Sequence, residues 1–269
     1  MPKKVGRPKE GKYAMVQVGC IPLRARAADQ SEMISQLLYG EIVHIIGKTG
    51  KSWRKVVCMH DGYIGWVDPK QLRGFDEKDL PHYEGTPIHS LDLVNSVYNG
   101  DRTVPIMIGS SLYRFDGITT KTPMGKFTYN GQTLDSTMEF NRRNMLVKLG
   151  LKYLHAPYLW GGRSLFGIDC SGLTQILYKM IGISLPRDAK DQIREGEAID
   201  FVSSAEPGDL AFFVNQDGRI HHVGMIIEPN RILHASGEVR IDYLDHEGIY
   251  RQKRRAYSHK LRIIKRILT

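Results

Sequence analysis

The chain has 269 residues, enough for about two domains or three small ones. With 41% hydrophobic and 25% charged residues it fits a folded globular protein and excludes a disordered or collagen-like one. The excess of 38 Lys+Arg over 29 Asp+Glu, a net charge of +9, favours acidic partners without choosing among them.

The first 14 residues read as a basic tail carrying Lys3, Lys4, Arg7 and Lys9, with no apolar stretch of the kind an export signal needs. No later stretch approaches 18 apolar residues, so a soluble, cytoplasmic protein with no membrane partner is expected. Short β-rich runs follow at 15–18, 41–48, 53–57 and 63–67, separated by Gly, Asp and Lys turns. They predict a small barrel over 15–75. Leu23-Arg24, Ser31-Glu32, Gln36-Leu37-Leu38-Tyr39-Gly40-Glu41, Trp53 and Gly62-Tyr63-Ile64-Gly65-Trp66-Val67 resemble a bacterial SH3-like domain. Residues 76–135 predict strands at 104–108 and 126–129 with turns at Gly100-Asp101, Asp116-Gly117 and Asn130-Gly131. Both a second, degenerate SH3-like barrel and a β-rich linker fit them.

From Ser136 the pattern turns helical, through Met138, Met145, Leu146 and Leu149, and breaks at Pro157 and Gly161-Gly162. A second helix is predicted from about Cys170 to Ile181, with Leu173, Leu177 and Ile181 on one stripe and Pro186 beyond its end. Strands are predicted at 210–214, 222–227, 232–235 and 261–264, completing a C-terminal domain over 136–269 and an α+β protein.

Three widely spaced cysteines, Cys20, Cys58 and Cys170, suggest neither a disulfide framework nor a zinc ribbon. Cys170 opens the second helix. A helix N-terminus stabilises a thiolate and lowers the thiol pKa, although a core cysteine has the same sequence signature. His221 and His222 follow in a strand-like run, where alternation lets only one of them face the thiol. His234 lies one hairpin later. Cysteine on a helix start, then histidine, then a polar residue on successive strands is what a nucleophile, a base and an orienter require.

Six ordered motifs then resemble the NlpC/p60 superfamily of papain-like cysteine peptidases: Pro157-Tyr158-Leu159-Trp160-Gly161-Gly162, Asp169-Cys170-Ser171-Gly172-Leu173, Leu185-Pro186-Arg187-Asp188, Pro207-Gly208-Asp209-Leu210, His222-Val223-Gly224-Met225 and His234-Ala235-Ser236-Gly237. The resemblance implies Cys170 as nucleophile, His222 rather than His221 as base, and His234 as orienter, with no cofactor and no metal. It also implies Tyr158, Asp169, Ser171 and Asp188 around a substrate cleft. Asp169 is equally readable as a helix N-cap, and Arg187-Asp188 as a surface ion pair. Where relatives continue Arg-Asp-Ser, Ala189 stands here. SH3-like domains ahead of such a domain resemble the dipeptidyl-peptidase VI group, γ-D-glutamyl-L-diamino acid endopeptidases that release L-Ala-γ-D-Glu from murein stem peptides. The implied partners are those peptides, not nucleic acid. Release of a dipeptide calls for a barrel that closes one end of the cleft and for carboxylates that bind the free ammonium, for which Asp169 and Asp188 are available in the C-terminal domain and Glu32 is the candidate from the barrel, followed by Tyr63.

Competing readings keep the same residues. A zinc site from Cys170, His222 and His234 lacks the short paired spacing of metal ligands. A wall-binding module needs no thiol, and an amidase or acyltransferase would use the same thiol on the same fold.

Overall fold

The structure, a computed structural model, describes residues 12–268, so all but the last three positions of the expected basic tail lie outside the described residues. It contains two compact units that divide between Asp135 and Ser136.

In the N-terminal unit, Tyr13–Val16 (β1), Cys20–Arg24 (β2), Met33–Leu38 (β3), Ile42–Thr49 (β4), Trp53–Cys58 (β5), Ile64–Val67 (β6) and Leu72–Phe75 (β7) make one antiparallel sheet, ordered β3-β2-β6-β5-β4-β1-β7. Period-2 alternation aims its apolar residues inward. On β5, Arg54, Val56 and Cys58 are buried while Trp53, Lys55 and Val57 are not. Ala14, Val16, Ile21, Leu23, Leu37, Val43, Val56 and Val67 fill the barrel. The sequence pattern missed β2, β3 and β7, whose runs are interrupted by Pro22, by Ser35 and Gln36, and by Arg73 and Gly74.

Seven short strands follow: Ile88–Ser90 (β8), Val94–Tyr98 (β9), Thr103–Met107 (β10), Ser111–Leu112 (β11), Thr119–Thr122 (β12), Gly125–Thr128 (β13) and Thr133–Leu134 (β14). They pair as two sheets, β10-β9-β13-β12 and β11-β8-β14, rather than as a second seven-stranded one. Val97, Val104, Ile106, Leu112, Phe127 and Tyr129 form their core, joined by Tyr39 from the first barrel.

The C-terminal unit has a helical half and a barrel half. Helix α1 spans Arg142–Lys152, its start fixed by the Asn141 side chain accepting from the Asn144 N–H. Met138, which the sequence pattern placed on this helix, lies before the cap and is exposed. A hairpin of Arg163–Ser164 (β15) and Gly167–Ile168 (β16) leads into α2, Cys170–Met180, and a short α3, Ala189–Gln192, follows. Every residue of α2 is buried, including Ser171, Thr174, Gln175 and Lys179 as well as the apolar stripe.

The barrel half comprises Glu197–Ile199 (β17), Leu210–Val214 (β18), Ile220–Glu228 (β19), Arg231–Ser236 (β20), Glu238–Leu244 (β21), Gly248–Arg251 (β22) and Ala256–Arg266 (β23). The order is β17-β23-β18-β19-β20-β21-β22, and β23 also pairs with β22. That second pairing closes β18 to β23 into a ring and leaves β17 at the edge. Ala211, Phe213, Ile226, Ile232, Leu244, Ile249 and Ile264 pack inside. Strands β17 and β22 have too few residues to define a period, β21, which alternates Glu238, Arg240 and Asp242 with Val239, Ile241 and Tyr243, was missed, and β23 is much longer than its apolar 261–264 segment.

Candidate active site

Helix α2 begins where the loop containing Trp160-Gly161-Gly162 meets β16, and the Asp169 carboxylate ties these pieces together. Its Oδ1 accepts from the Gly172 N–H at 2.7 Å and its Oδ2 from the Gly161 N–H at 2.8 Å. The first contact is the helix cap; the second needs Gly161 at φ +76°, where a side chain would be strained. Arg187, 2% exposed, donates to both carboxylate oxygens at 3.0 and 2.6 Å and to the Ser171 hydroxyl at 2.9 Å. Arg187 is therefore buried against Asp169 rather than placed at the surface, and Asp188 lies 3.5 Å from Lys190. The strongly paired guanidinium offsets the desolvation of a carboxylate that is itself 5% exposed.

Cys170, the first residue of α2, is buried, and the backbone N–H groups of Val223 and Ser171 lie close enough to its thiol to lower the thiol pKa. The Val223 contact sets the sulfur against β19 next to His222. On that strand His221 is exposed and His222 buried, as alternation requires. Gly224 shares the face of His222. A Cβ there would lie 2.9 Å from the His234 Cβ and 2.7 Å from the Ile232 Cδ1, so its absence lets β20 come close. The imidazoles meet across this gap, His222 Nε2 to His234 Nδ1 at 2.9 Å, with the rings at 85°. His234 Nε2 in turn lies 3.1 Å from Asp242 Oδ2 on β21. Arg240 grips the same carboxylate, Nε to Oδ2 at 2.7 Å and Nη2 to Oδ1 at 2.9 Å. His259 of β23 stacks on the face of the His222 ring, with centroids 4.1 Å apart.

Burial and the surrounding histidines His234, His259 and His221 hold the His222 pKa well below its ordinary value. Burial also lowers that of His234, despite the hydrogen bond and charge of Asp242. For Asp242 burial raises the pKa, but the hydrogen bonds from His234 and Arg240 outweigh it and keep the carboxylate ionised. The thiol departs from the sequence expectation. Burial and the Asp169 charge push Cys170 up to about 12, against the Val223 and Ser171 amides and Arg187, which pull it down. Burial thus acts on both groups in the direction of their neutral forms.

The structure joins His222 to His234 by a hydrogen bond, sets Cys170 near Val223, the residue after His222 on β19, and places Asp169 and Ser171 on either side of Cys170 in the chain. Tyr158, whose backbone bridges to Ile168, is half-exposed, and burial followed by the Cys170 and Asp169 charges raises its pKa to about 12, so it stays a phenol. Asp188 precedes α3 with 32% of its side chain exposed. Glu32 and Tyr63 belong to the N-terminal unit, where Glu32 is exposed just before β3 and Tyr63 packs against the barrel core. The sequence did not disclose Arg187 as the partner of Asp169, nor Asp242 and His259. Asp242 reads as the solvated face of its strand, and Arg187 and His259 stand in segments without a clean apolar period. Among the described residues no group of three or more His, Cys, Asp or Glu can hold a metal ion, and no helix is long and apolar enough to cross a membrane.

A papain-like site of this kind, with a small barrel ahead of it, agrees with what the chain is similar to. The NlpC/P60 family model matches residues 155–258, and a bacterial dipeptidyl-peptidase SH3 domain matches 23–72. The chain is 30% identical over 228 residues to a γ-D-glutamyl-L-lysine dipeptidyl-peptidase of Bacillus cereus, covering 76% of this chain and 68% of that one. It is 28% identical over 221 residues to the protein of the same name from Bacillus subtilis, covering 75% and 71%. The crystal structure of an NlpC/P60 family protein from Bacillus cereus superposes with a TM-score of 0.79 over 96% of this chain and 100% of that one, at 23% identity, a likeness of fold. The fold and site define a hydrolase that acts on peptide bonds. The chain belongs to the NlpC/P60 family.

Proposed function

We propose that the chain cleaves the γ-D-glutamyl bond to the diamino acid in free murein stem peptides, releasing L-Ala-γ-D-Glu, with Cys170 as nucleophile, His222 as base and His234 as orienter. The observation that carries the mechanism is the 2.9 Å bond from His222 Nε2 to His234 Nδ1 beside a thiol at a helix N-terminus. It commits one nitrogen of the base and leaves Nδ1 to take the thiol proton. The substrate class rests on the two dipeptidyl-peptidases to which the chain is similar.

Because burial favours the neutral forms of thiol and imidazole, proton transfer accompanies attack. The Cys170 sulfur bonds to the γ-carbonyl carbon as its proton passes to His222. The oxyanion that forms faces the positive end of α2. Collapse breaks the C–N bond, His222 returns the proton to the departing amine, and a thioester remains. Water, deprotonated by His222, then releases the dipeptide and the thiol. Tyr158, Asp169, Ser171 and Asp188 hold the N-terminal side of the peptide. Asp169 acts there already paired with Arg187, whereas Asp188 is the more accessible of the two carboxylates.

Mass spectrometry of products from L-Ala-γ-D-Glu-L-Lys and from the diaminopimelate tripeptide tests this. Release of the dipeptide L-Ala-γ-D-Glu is the expected result. Intact tripeptides, or loss of L-Ala alone, would overturn the substrate assignment, and transfer to an added amine in place of water would make the protein an acyltransferase.

A further inference from the structure

A cysteine–histidine pair works only if the nitrogen facing the thiol lacks a proton, and at a neutral imidazole that depends on the ring's other hydrogen bond. Here the hydrogen-bond chain runs two residues beyond the base. We infer that Asp242, clamped by Arg240, is the positioning residue that sets the tautomer of His222 through His234. This rests on the peptidase reading for its purpose but not for its geometry.

The argument starts at the far end. Arg240 has only donors, and it occupies both oxygens of Asp242. Arg251 Nε lies 4.0 Å from the same Oδ2. Two cations hold the carboxylate ionised, hence acceptor-only, at a site where it is 8% exposed. His234, fully buried, must then donate from Nε2. As a neutral ring it accepts at Nδ1, so His222 must donate from Nε2. The His222 proton is thereby spent on His234, and Nδ1 keeps a lone pair. Each link has one allowed direction because its neighbour has only one. The β20–β21 register places Arg240 opposite His234 and Asp242 opposite Ile232, so the clamp is rigid sheet rather than loop.

The reaction asks the same chain to work in reverse. When His222 takes the thiol proton it becomes a cation in a dry site. The bond to His234, backed by an anionic Asp242, stabilises that charge without moving a second proton.

The test reads the tautomer directly. In protein labelled with 15N-histidine, ring nitrogen shifts and two-bond couplings report which nitrogen carries each proton. Wild type is expected to have His222 and His234 both protonated at Nε2. In Asp242→Leu, His234 Nε2 faces only Arg240 and Arg251, which favour a lone pair there. The proton then moves to Nδ1 of His234, His222 accepts at Nε2, and its own proton turns to the thiol. We expect kcat to fall by about 10³-fold or more, as when the orienting carboxylate of a triad is lost, with KM changed less than about threefold. Arg240→Leu keeps the carboxylate and is expected to preserve the tautomer. An unaltered His222 tautomer in Asp242→Leu, or kcat within about tenfold of wild type, overturns the inference. If Asp242→Leu does not fold, the wild-type spectrum still decides, since a His222 ring protonated at Nδ1 and not at Nε2 refutes the chain. A wild type with the expected tautomers but no peptide hydrolysis would refute the peptidase reading and leave this one standing.

Discussion

Arg187 meets Asp169 as a buried fork, with Nη1 3.0 Å from Oδ1 and Nη2 2.6 Å from Oδ2, immediately before the residue that carries the thiol. The pair holds the start of α2 in place. The same carboxylate caps the helix and receives the Gly161 amide.

Breaking that fork is expected to be costly. Arg187→Met leaves a buried carboxylate without its counter-ion and should lower the stability of the C-terminal unit by about 3–5 kcal/mol. Arg187→Lys keeps the charge but not the bidentate geometry and should lose less. Urea unfolding of both variants measures this, and an Arg187→Met midpoint equal to wild type would contradict the buried-pair account.

Cys170→Ala should reduce turnover below about 1% of wild type with the fold retained. His222→Ala should be nearly as damaging, whereas His221→Ala, at an exposed position, should leave most activity. Equal losses from the two histidine variants would reverse the assignment of faces on β19. Circular dichroism separates loss of chemistry from loss of fold.

Because burial and Asp169 push the Cys170 thiol up to about 12, alkylation by iodoacetamide should be slow at pH 7 and still climbing at pH 10. The thiolate fraction of such a group grows about tenfold per pH unit over this range. Mapping alkylated peptides by mass spectrometry across pH 6–10 checks it. A plateau below pH 8 would indicate a preformed thiolate.

The buried histidines make stability depend on acidity. Burial lowers the pKa of both His222 and His234, so below about pH 6.5 the unfolded chain takes up protons that the folded one refuses. Stability is therefore unaffected by these groups above that pH and falls as pH drops through the window beneath it. The slope is at most about 1.4 kcal/mol per pH unit for each group. Urea midpoints at pH 7 and pH 5 should differ, and a His222→Gln, His234→Gln variant should narrow the difference.

The residues that bear the chemistry were legible in the sequence because each lies in an apolar run whose period reveals its element. Cys170 opens a helical stripe, and His222 and His234 interrupt strands of Val, Ile and Leu. Their supports were not. Arg187 and His259 stand in segments without a clean apolar period, and nothing in chain order brings β23 against β18; β21 follows β20 after Gly237 alone and pairs with it as a hairpin, but Arg240 and Asp242 alternate there with Val239, Ile241 and Tyr243 and read as the strand's solvated face. The thiol pKa was misjudged for a related reason. A helix start is a local feature, whereas the burial of Cys170 by the packed unit and the orientation of Asp169 are not. In the N-terminal unit the strands with clean alternation were found, and the two- to five-residue strands of 88–134 were mostly missed, since so few residues define no period.

The last prediction concerns the contact that couples the two glycine motifs. In the first turn of α2 a Cβ on Gly172 would lie 2.2 Å from the Gly162 carbonyl oxygen and 3.0 Å from Asp169 Oδ1. The backbone oxygen cannot swing away as a side chain can, so either the helix start or the 160–162 loop must shift. A Cβ on Gly162 would meet the Gly167 carbonyl oxygen at 2.3 Å, so that loop is itself wedged against β16. Gly172→Ala should therefore displace the N-terminus of α2, weakening both the Asp169 cap and the alignment of Cys170 with Val223 and His222. A shift of about 1 Å in such a reacting pair costs on the order of 10²-fold in rate. Overpacking of this kind destabilises by about 1–3 kcal/mol, less than loss of the Arg187 fork. The expected signature is a large fall in kcat with a modest fall in the urea midpoint. Wild-type kcat in Gly172→Ala would mean that the loop yields without moving the thiol, and the close approach of the two motifs would then not position the nucleophile.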